Sequence, residues 1–440
     1  MRPVPTLRLA AVVCAVACLA PALDAVDYPS TRVLTHREQA PLVRSWIEQR
    51  FDTVLPQVMR RTGIDMWIIV SREYNDDPVF RSMAPLTTFS SRRRTILVFF
   101  DRGGDKGVER LSVGRFDYDK LFTLYPTHND AQFDGLRKLV DERQPKVIGI
   151  DESNEWNHAD GITANEKRRL IEALGPEHAK KVRSAEALAV GWLEVKIDPE
   201  LEAFRHVMRV AHMVIGEAFS NAVITPGTTT TEDVAWWMRQ RVVEMGLGKW
   251  FHPSVSIQRK GGTKPGDIVI QRGDLLHTDF GLVYLGLSTD TQHHAYVLKE
   301  GETDAPQGLK DGLEAANRLQ DLVMEYAKVG RTGNQALKDV RTKALAEGIT
   351  PSIYCHPIGY HGHAAGPPIG MTDYQDGVPV RGDDVFRPNT WHSIELNALV
   401  PVKEWGDQPV RFALEEDAAI LADGRWDWIL KRQSALYLIK

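Results

Sequence analysis

The chain has 440 residues, 43% of them hydrophobic and 26% charged, and a formal net charge of −5. That length predicts two domains with enough core to fold unaided. The mild acidity gives no electrostatic case for nucleic acid or an anionic membrane as partner.

In chain order, residues 1–25 are expected to be a signal peptide. Arg2 and Arg8 precede LAAVVCAVACLAPALDA, a run too short and too interrupted by Ala and Pro to span a bilayer. Ala20-Pro21-Ala22 offers an A-x-A cleavage match, with Ala25 as a second option. The expectation is export to the periplasm or beyond, with no lipid anchor and no membrane span. Cys14 and Cys18 fall in the leader, so the mature chain keeps Cys355 alone and no intramolecular disulfide is expected. Cys355 reads as a small buried strand residue.

Residues 26–194 are expected to form an α/β domain. A helical stripe runs over 37–62 through Leu42, Trp46, Phe51, Leu55 and Met59. Buried strands follow at 66–71, 95–100 and 146–151, with a helix near 131–142. The basic run Arg92–Arg94 reads as a solvated start to its strand. Residues 195–440 are expected to form an α+β domain. It opens with an amphipathic helix over 199–223 and a second helix over 231–244, capped by Thr and Asp. Strands are expected over 275–296, helices near 305–328 and 334–347, and strands again from Trp391.

The chemistry concentrates in this second domain. Asp279 and Asp290 lie eleven residues apart in LLHTDFGLVYLGLSTDTQHHAYV. A hairpin turn centred at Tyr284–Leu285 would set them directly opposite, with Cβ atoms about 4.5–5.5 Å apart. Two carboxylates that close raise each other's pKa unless a cation lies between them. Glu395 and Glu415 repeat the arrangement about a midpoint at Trp405, with Glu416 as the alternative to Glu415. The loop CHPIGYHGHAAGPPIG adds His356, His361 and His363. Four carboxylates and an imidazole favour hard ions over a structural zinc of Cys and His. Two divalent ions are expected, manganese first, with Co, Fe or Zn as alternatives. Such a pair can activate water and polarise a carbonyl, which suits amide hydrolysis.

The order Asp–x10–Asp, His, Glu, Glu resembles the pita-bread metallopeptidases, in the aminopeptidase P, prolidase and creatinase branch. HTDFG and STDT match its aspartate strands, H-x-I-G-x-x-x-H its histidine loop, and SIEL its first glutamate strand. Glu415, nine residues before Gly424, matches the second. The resemblance implies a pita-bread catalytic domain preceded by a creatinase-type α/β domain. It implies Asp279, Asp290, His356, Glu395 and Glu415 as metal ligands, Glu395 also as proton shuttle, and His363 facing the scissile carbonyl. It further implies a small peptide substrate, often with proline after the scissile bond, and a homodimer. The chain departs from the pattern at Gly261-Gly262, where the family has a histidine, and His252 stands in as a candidate. It departs again at Ala364, and at Ala413, where Arg411 is the nearest arginine. His252, His361, His363 and Arg411 are therefore the expected substrate contacts. A creatinase-like hydrolase, a metal-dependent lyase and a silent binding module are the alternatives.

Overall fold

The computed structural model describes residues 30–128 and 131–440. The leader expected at residues 1–25 lies outside them. Among the described residues, no helix is long and apolar enough to cross a membrane.

The first domain is built on a mixed six-stranded sheet. Its strands are β1 (Met66–Arg72), β2 (Arg94–Asp101), β3 (Val108–Gly114), β4 (Thr123–Pro126), β5 (Ile148–Ile150) and β6 (Val182–Ser184). The spatial order is β4-β3-β2-β1-β5-β6. Helices α1 (His36–Thr62), α2 (Gln132–Arg143), α3 (Ala164–Ala179) and α4 (Glu186–Glu194) cover it. The strands read as unbroken apolar runs because both faces are buried. On one face, Trp67, Ile69, Leu97 and Phe99 join the core of α1 and α4. On the other, Met66, Ile68, Ile96 and Val98 pack with Leu136, Leu139, Leu170 and Leu174 of α2 and α3. Helix α1 starts where expected, because Thr35 and Glu38 form a capping box. Gly63, at φ 69°, ends it.

The second domain opens with α5 (Asp198–Ala218) and α6 (Thr231–Glu244). Helix α5 stops five residues short of the expected end. Next come β7 (Ser254–Gln258), β8 (Leu275–Phe280), β9 (Val283–Tyr284), β10 (Leu287–Ser288) and β11 (Thr291–Val297). After α7 (Gln307–Tyr326) and α8 (Gly333–Ala346) come β12 (Thr350–Ile353), β13 (His356–Pro357), β14 (Thr390–Ser393) and β15 (Leu396–Val402). The chain finishes through β16 (Gln408–Leu414), β17 (Asp417–Ile420), β18 (Trp426–Trp428) and β19 (Tyr437–Ile439). Besides the two-stranded β9-β10 ribbon, three sheets result, ordered β19-β11-β8-β7, β12-β15-β16 and β13-β14-β17-β18. A backbone bridge between Gln292 and Glu415 joins the first sheet to the strand running through the other two. This is the pita-bread fold, and the α/β domain precedes it.

One register differs from expectation. Tyr284 pairs with Leu287, and Asp279 with Gln292, so the turn is centred on Leu285–Gly286. Both residues take positive φ, 57° and 76°, the two-residue geometry that fits the twist of a hairpin. Asp290 therefore sits two residues from the position opposite Asp279. The parity is unchanged, so the two carboxylates share a face diagonally. The second register is as expected. Ser393 pairs with Asp417 and Leu396 with Leu414, which sets Glu395 across from Glu415. Both glutamates occupy the short breaks where a strand passes from one sheet to the next.

The two domains share one continuous apolar core running from α1 through α4 to α5. Across it, Arg50 of α1 lies 3.0 Å from Glu200 of α5, and both side chains are fully buried. Arg50 also donates to the carbonyls of Trp192 and Val195 and stacks on the Trp192 ring.

Candidate metal centre

The strand breaks and the histidine loop bring Asp279, Asp290, His356, Glu395 and Glu415 together. Glu415 is buried, and its Oε1 lies 3.2 Å from His356 Nε2. The same nitrogen lies 3.5 Å from Asp290 Oδ2 and 3.9 Å from Glu395 Oε2. His356 Nδ1 faces the carbonyl of Pro357 at 3.0 Å. A carbonyl only accepts, so in the neutral ring the proton sits on Nδ1 and the Nε2 lone pair faces the carboxylates. That arrangement needs either a second proton or a cation.

The ligand atoms of Asp279, Asp290 and Glu415 lie within 4.8 Å of one another, as do those of His356, Glu395 and Glu415. Glu415 thus belongs to two overlapping trios. Asp279 Oδ1 and Asp290 Oδ1 are buried without a hydrogen-bond partner among the described residues. Burial and the charge of Glu415 push Asp279 up to about 7 and Glu395 up to about 9. The same two causes hold Asp290 well above the carboxylate range. Burial opposes charge on His356, yet its bonds to Asp290 and Glu415 outweigh that and raise its pKa. Two buried carboxylates, Asp290 and Glu415, two half-buried ones, Asp279 and Glu395, two orphaned oxygens and one imidazole form a donor set that fits divalent cations.

Two members of the site carried no sequence signal. Gln292 donates from Nε2 to Glu395 Oε1 and to Glu415 Oε2, both at 2.8 Å. Ser393 Oγ donates to Glu415 Oε1 at 2.7 Å. Gln292 stands opposite Asp279 and two residues past Asp290, so the correct hairpin register would have found it. Cys355 is buried, and burial together with Glu395 and Glu415 raises its thiol pKa well above normal. It is not poised as a nucleophile.

A cavity of about 310 Å³ opens beside the cluster. Tyr354, His356, His363 and Arg381 line it from the second domain, Trp156 and His158 from the first. His363 stands edge-on to His356, with ring centroids 4.6 Å apart. The other expected substrate contacts do not line this cavity. His361 is packed behind its wall, 4.6 Å from the His158 ring. His252 is exposed and stacks against Trp236. Arg411 is exposed on β16, its backbone tied to Gln258. Arg381 and Trp156 were missed by sequence reasoning, because each is an unremarkable loop residue until the chain folds.

The fold and this buried carboxylate cluster define a metallopeptidase-type domain. Residues 202–417 match metallopeptidase family M24. The chain is 28% identical over 159 residues to the uncharacterized peptidase YqhT of Bacillus subtilis, an alignment spanning 36% of this chain and 40% of that relative. Among solved structures it is similar to an X-Pro aminopeptidase from Thermotoga maritima, with a TM-score of 0.62 at 18% identity, covering 87% of this chain and 99% of that one. An Xaa-Pro dipeptidase from Bacillus anthracis gives a TM-score of 0.55 at 18% identity, covering 92% and 100%.

Proposed function

We propose that the chain is an exported, dinuclear-metal peptidase that cleaves the N-terminal bond of short peptides or splits dipeptides, with proline after the scissile bond. The observation that carries this reading is the pair of ligand trios sharing Glu415 beside the cavity. Asp279, Asp290, His356, Glu395 and Glu415 would hold two divalent ions, manganese by the hardness of the set. When bound, the ions supply Lewis-acid polarisation of the carbonyl and a water nucleophile at neutral pH.

The chain's own groups do the rest. Burial and the charge of Glu415 favour a bound proton on Glu395, whose pKa is pushed up to about 9, so it takes the proton of the attacking water and returns it to the leaving nitrogen. His363, on the cavity wall, donates to the carbonyl oxygen as negative charge develops there. Arg381 lies over the Trp156 ring at 6.0 Å and would receive the free carboxylate of a short peptide. The preference for proline is supported by the named substrates of the similar structures. Domains meeting near residue 195, a leader at 1–25 and a homodimer complete the reading. Tyr74 and Phe89, 91% and 86% exposed, are the first-domain surface a dimer would use.

The test is metal content. The mature chain equilibrated with manganese should hold about two ions per chain at this cluster, and Asp290→Asn should lose at least one. It should release the first residue from Xaa-Pro peptides faster than from Xaa-Ala peptides. No tightly bound ion in either protein would remove the peptidase reading, and equal cleavage of the two peptide sets would remove the proline preference.

A further inference from the structure

Behind the cluster, three side chains converge that the peptidase reading does not use. Glu415 and Glu416 are adjacent and face opposite ways. The Glu416 carboxylate is 2% exposed. His212 of α5 places Nε2 2.7 Å from its Oε1, and His293 of β11 places Nε2 3.0 Å from its Oε2. The three ligand atoms lie within 4.8 Å of one another. The two rings meet edge to face, 4.9 Å apart at 73°.

A carboxylate this deep needs a counter-charge. Among the described residues Glu416 forms ion-pair contacts with these two imidazoles and with no lysine or arginine. A neutral imidazole donates a hydrogen bond but supplies no charge. The same ring atom of two histidines, from a helix and from a strand, is aimed at the two oxygens of one acid. His293 is held from its Nε2 end alone, since its buried Nδ1 has no hydrogen-bond partner among the described residues. Two imidazoles and one carboxylate form the ligand set of zinc sites that keep an open position. The set is also softer than the four-carboxylate cluster on the other side of the strand.

We propose that His212, His293 and Glu416 form a separate metal site that takes one divalent ion of zinc type. Metal–ligand bonds of about 2.0–2.1 Å in tetrahedral array separate donor atoms by roughly 3.3 Å. The two imidazole–carboxylate contacts, at 2.7 and 3.0 Å, fall short of that spacing by only roughly 0.3–0.6 Å. His212 keeps 10% of its side chain exposed, so the ion enters from the α5 side. Once bound, it ties α5 to the strand break that carries Glu415.

The experiment counts ions in the full mature chain, stripped with chelator, equilibrated with zinc and desalted. His212→Gln and His293→Gln should each lose one ion per chain relative to the wild type. Asp279→Asn, altered in the other cluster, should retain this ion. Glu416→Gln keeps the shape and removes the charge, and it carries the test if a histidine variant fails to fold. Cobalt in place of zinc gives a second readout, since visible bands from the imidazole-ligated ion should vanish in the His212 and His293 variants. Equal counts in the wild type and in the His212→Gln, His293→Gln and Glu416→Gln variants overturn the proposal. Equal counts in the wild type and Asp279→Asn overturn the dinuclear reading instead, so the two failures are distinct.

Discussion

At the scale of single residues, the same physics that marks the metal cluster recurs in the first domain. Asp77 and Asp151 are both buried and face each other. Trp67 Nε1 donates to Asp151 Oδ1 at 2.6 Å, and the Val79 amide donates to Asp77 Oδ1 at 2.9 Å. Their remaining oxygens have no hydrogen-bond donor among the described residues. The pair is stable only while it keeps a proton. Burial pushes Asp77 up to about 7, so between about pH 4 and 7 the folded chain binds a proton that the unfolded chain releases. The stability from this pair is complete below about pH 4 and is lost as pH rises toward 7. The melting temperature of the wild type, taken relative to Asp77→Asn, should fall across that window. Parallel pH curves for the two proteins would disprove it. The cluster carboxylates were legible in the sequence because a charge in an apolar strand demands an explanation. Asp77 sits in a polar loop, NDDP, where nothing demanded one.

At the scale of elements, spacing predicts register only as well as it predicts the turn. The Glu395–Glu415 register followed from symmetry about Trp405, because β15 and β16 pair without a bulge up to Val402 and Gln408. The aspartate hairpin was misjudged by one residue in its centre, because a two-residue turn wants glycine at its second position and Gly286 is there. Helix packing carries information the sequence hides. Gly312 of α7 faces the fully buried ring of Phe412 on β16, and an added Cβ would come within 2.0 Å of it. Alanine in place of a mid-helix glycine gains roughly 0.5–1 kcal/mol of propensity. Overpacking a closed core costs about 1–3 kcal/mol. The second term should win, so Gly312→Ala should lower the urea midpoint. A midpoint raised above the wild type would show that the ring yields.

At the scale of the whole molecule, the first domain matters to the site because it supplies part of the cavity wall. Arg50 is a buried ionic link between it and the second domain. The Tyr360 hydroxyl donates to Glu200 from the histidine loop, so Arg50, Glu200 and Tyr360 tie α1, α5 and that loop together. Arg50→Ala would leave Glu200 buried without its cation, a loss of about 3–5 kcal/mol. We expect a lower melting temperature together with a raised KM for short peptides, as Trp156 and His158 lose their place against Arg381. A drop in stability with KM unchanged would show that the wall does not depend on this contact.

The sequence by itself marked helices α1, α2 and α5 to α8 and strands β1, β2 and β5 within a few residues, and singled out the five ligand candidates. Those depend on local patterning and on the cost of burying charge, both of which can be read along the chain. Tertiary structure alone decided the bonds of Gln292 to Glu395 and Glu415. It also set Arg381 across from Trp156 and brought His212 to Glu416. Each of these joins residues whose separation in the chain far exceeds any local period, so only closure of the fold brings them into contact.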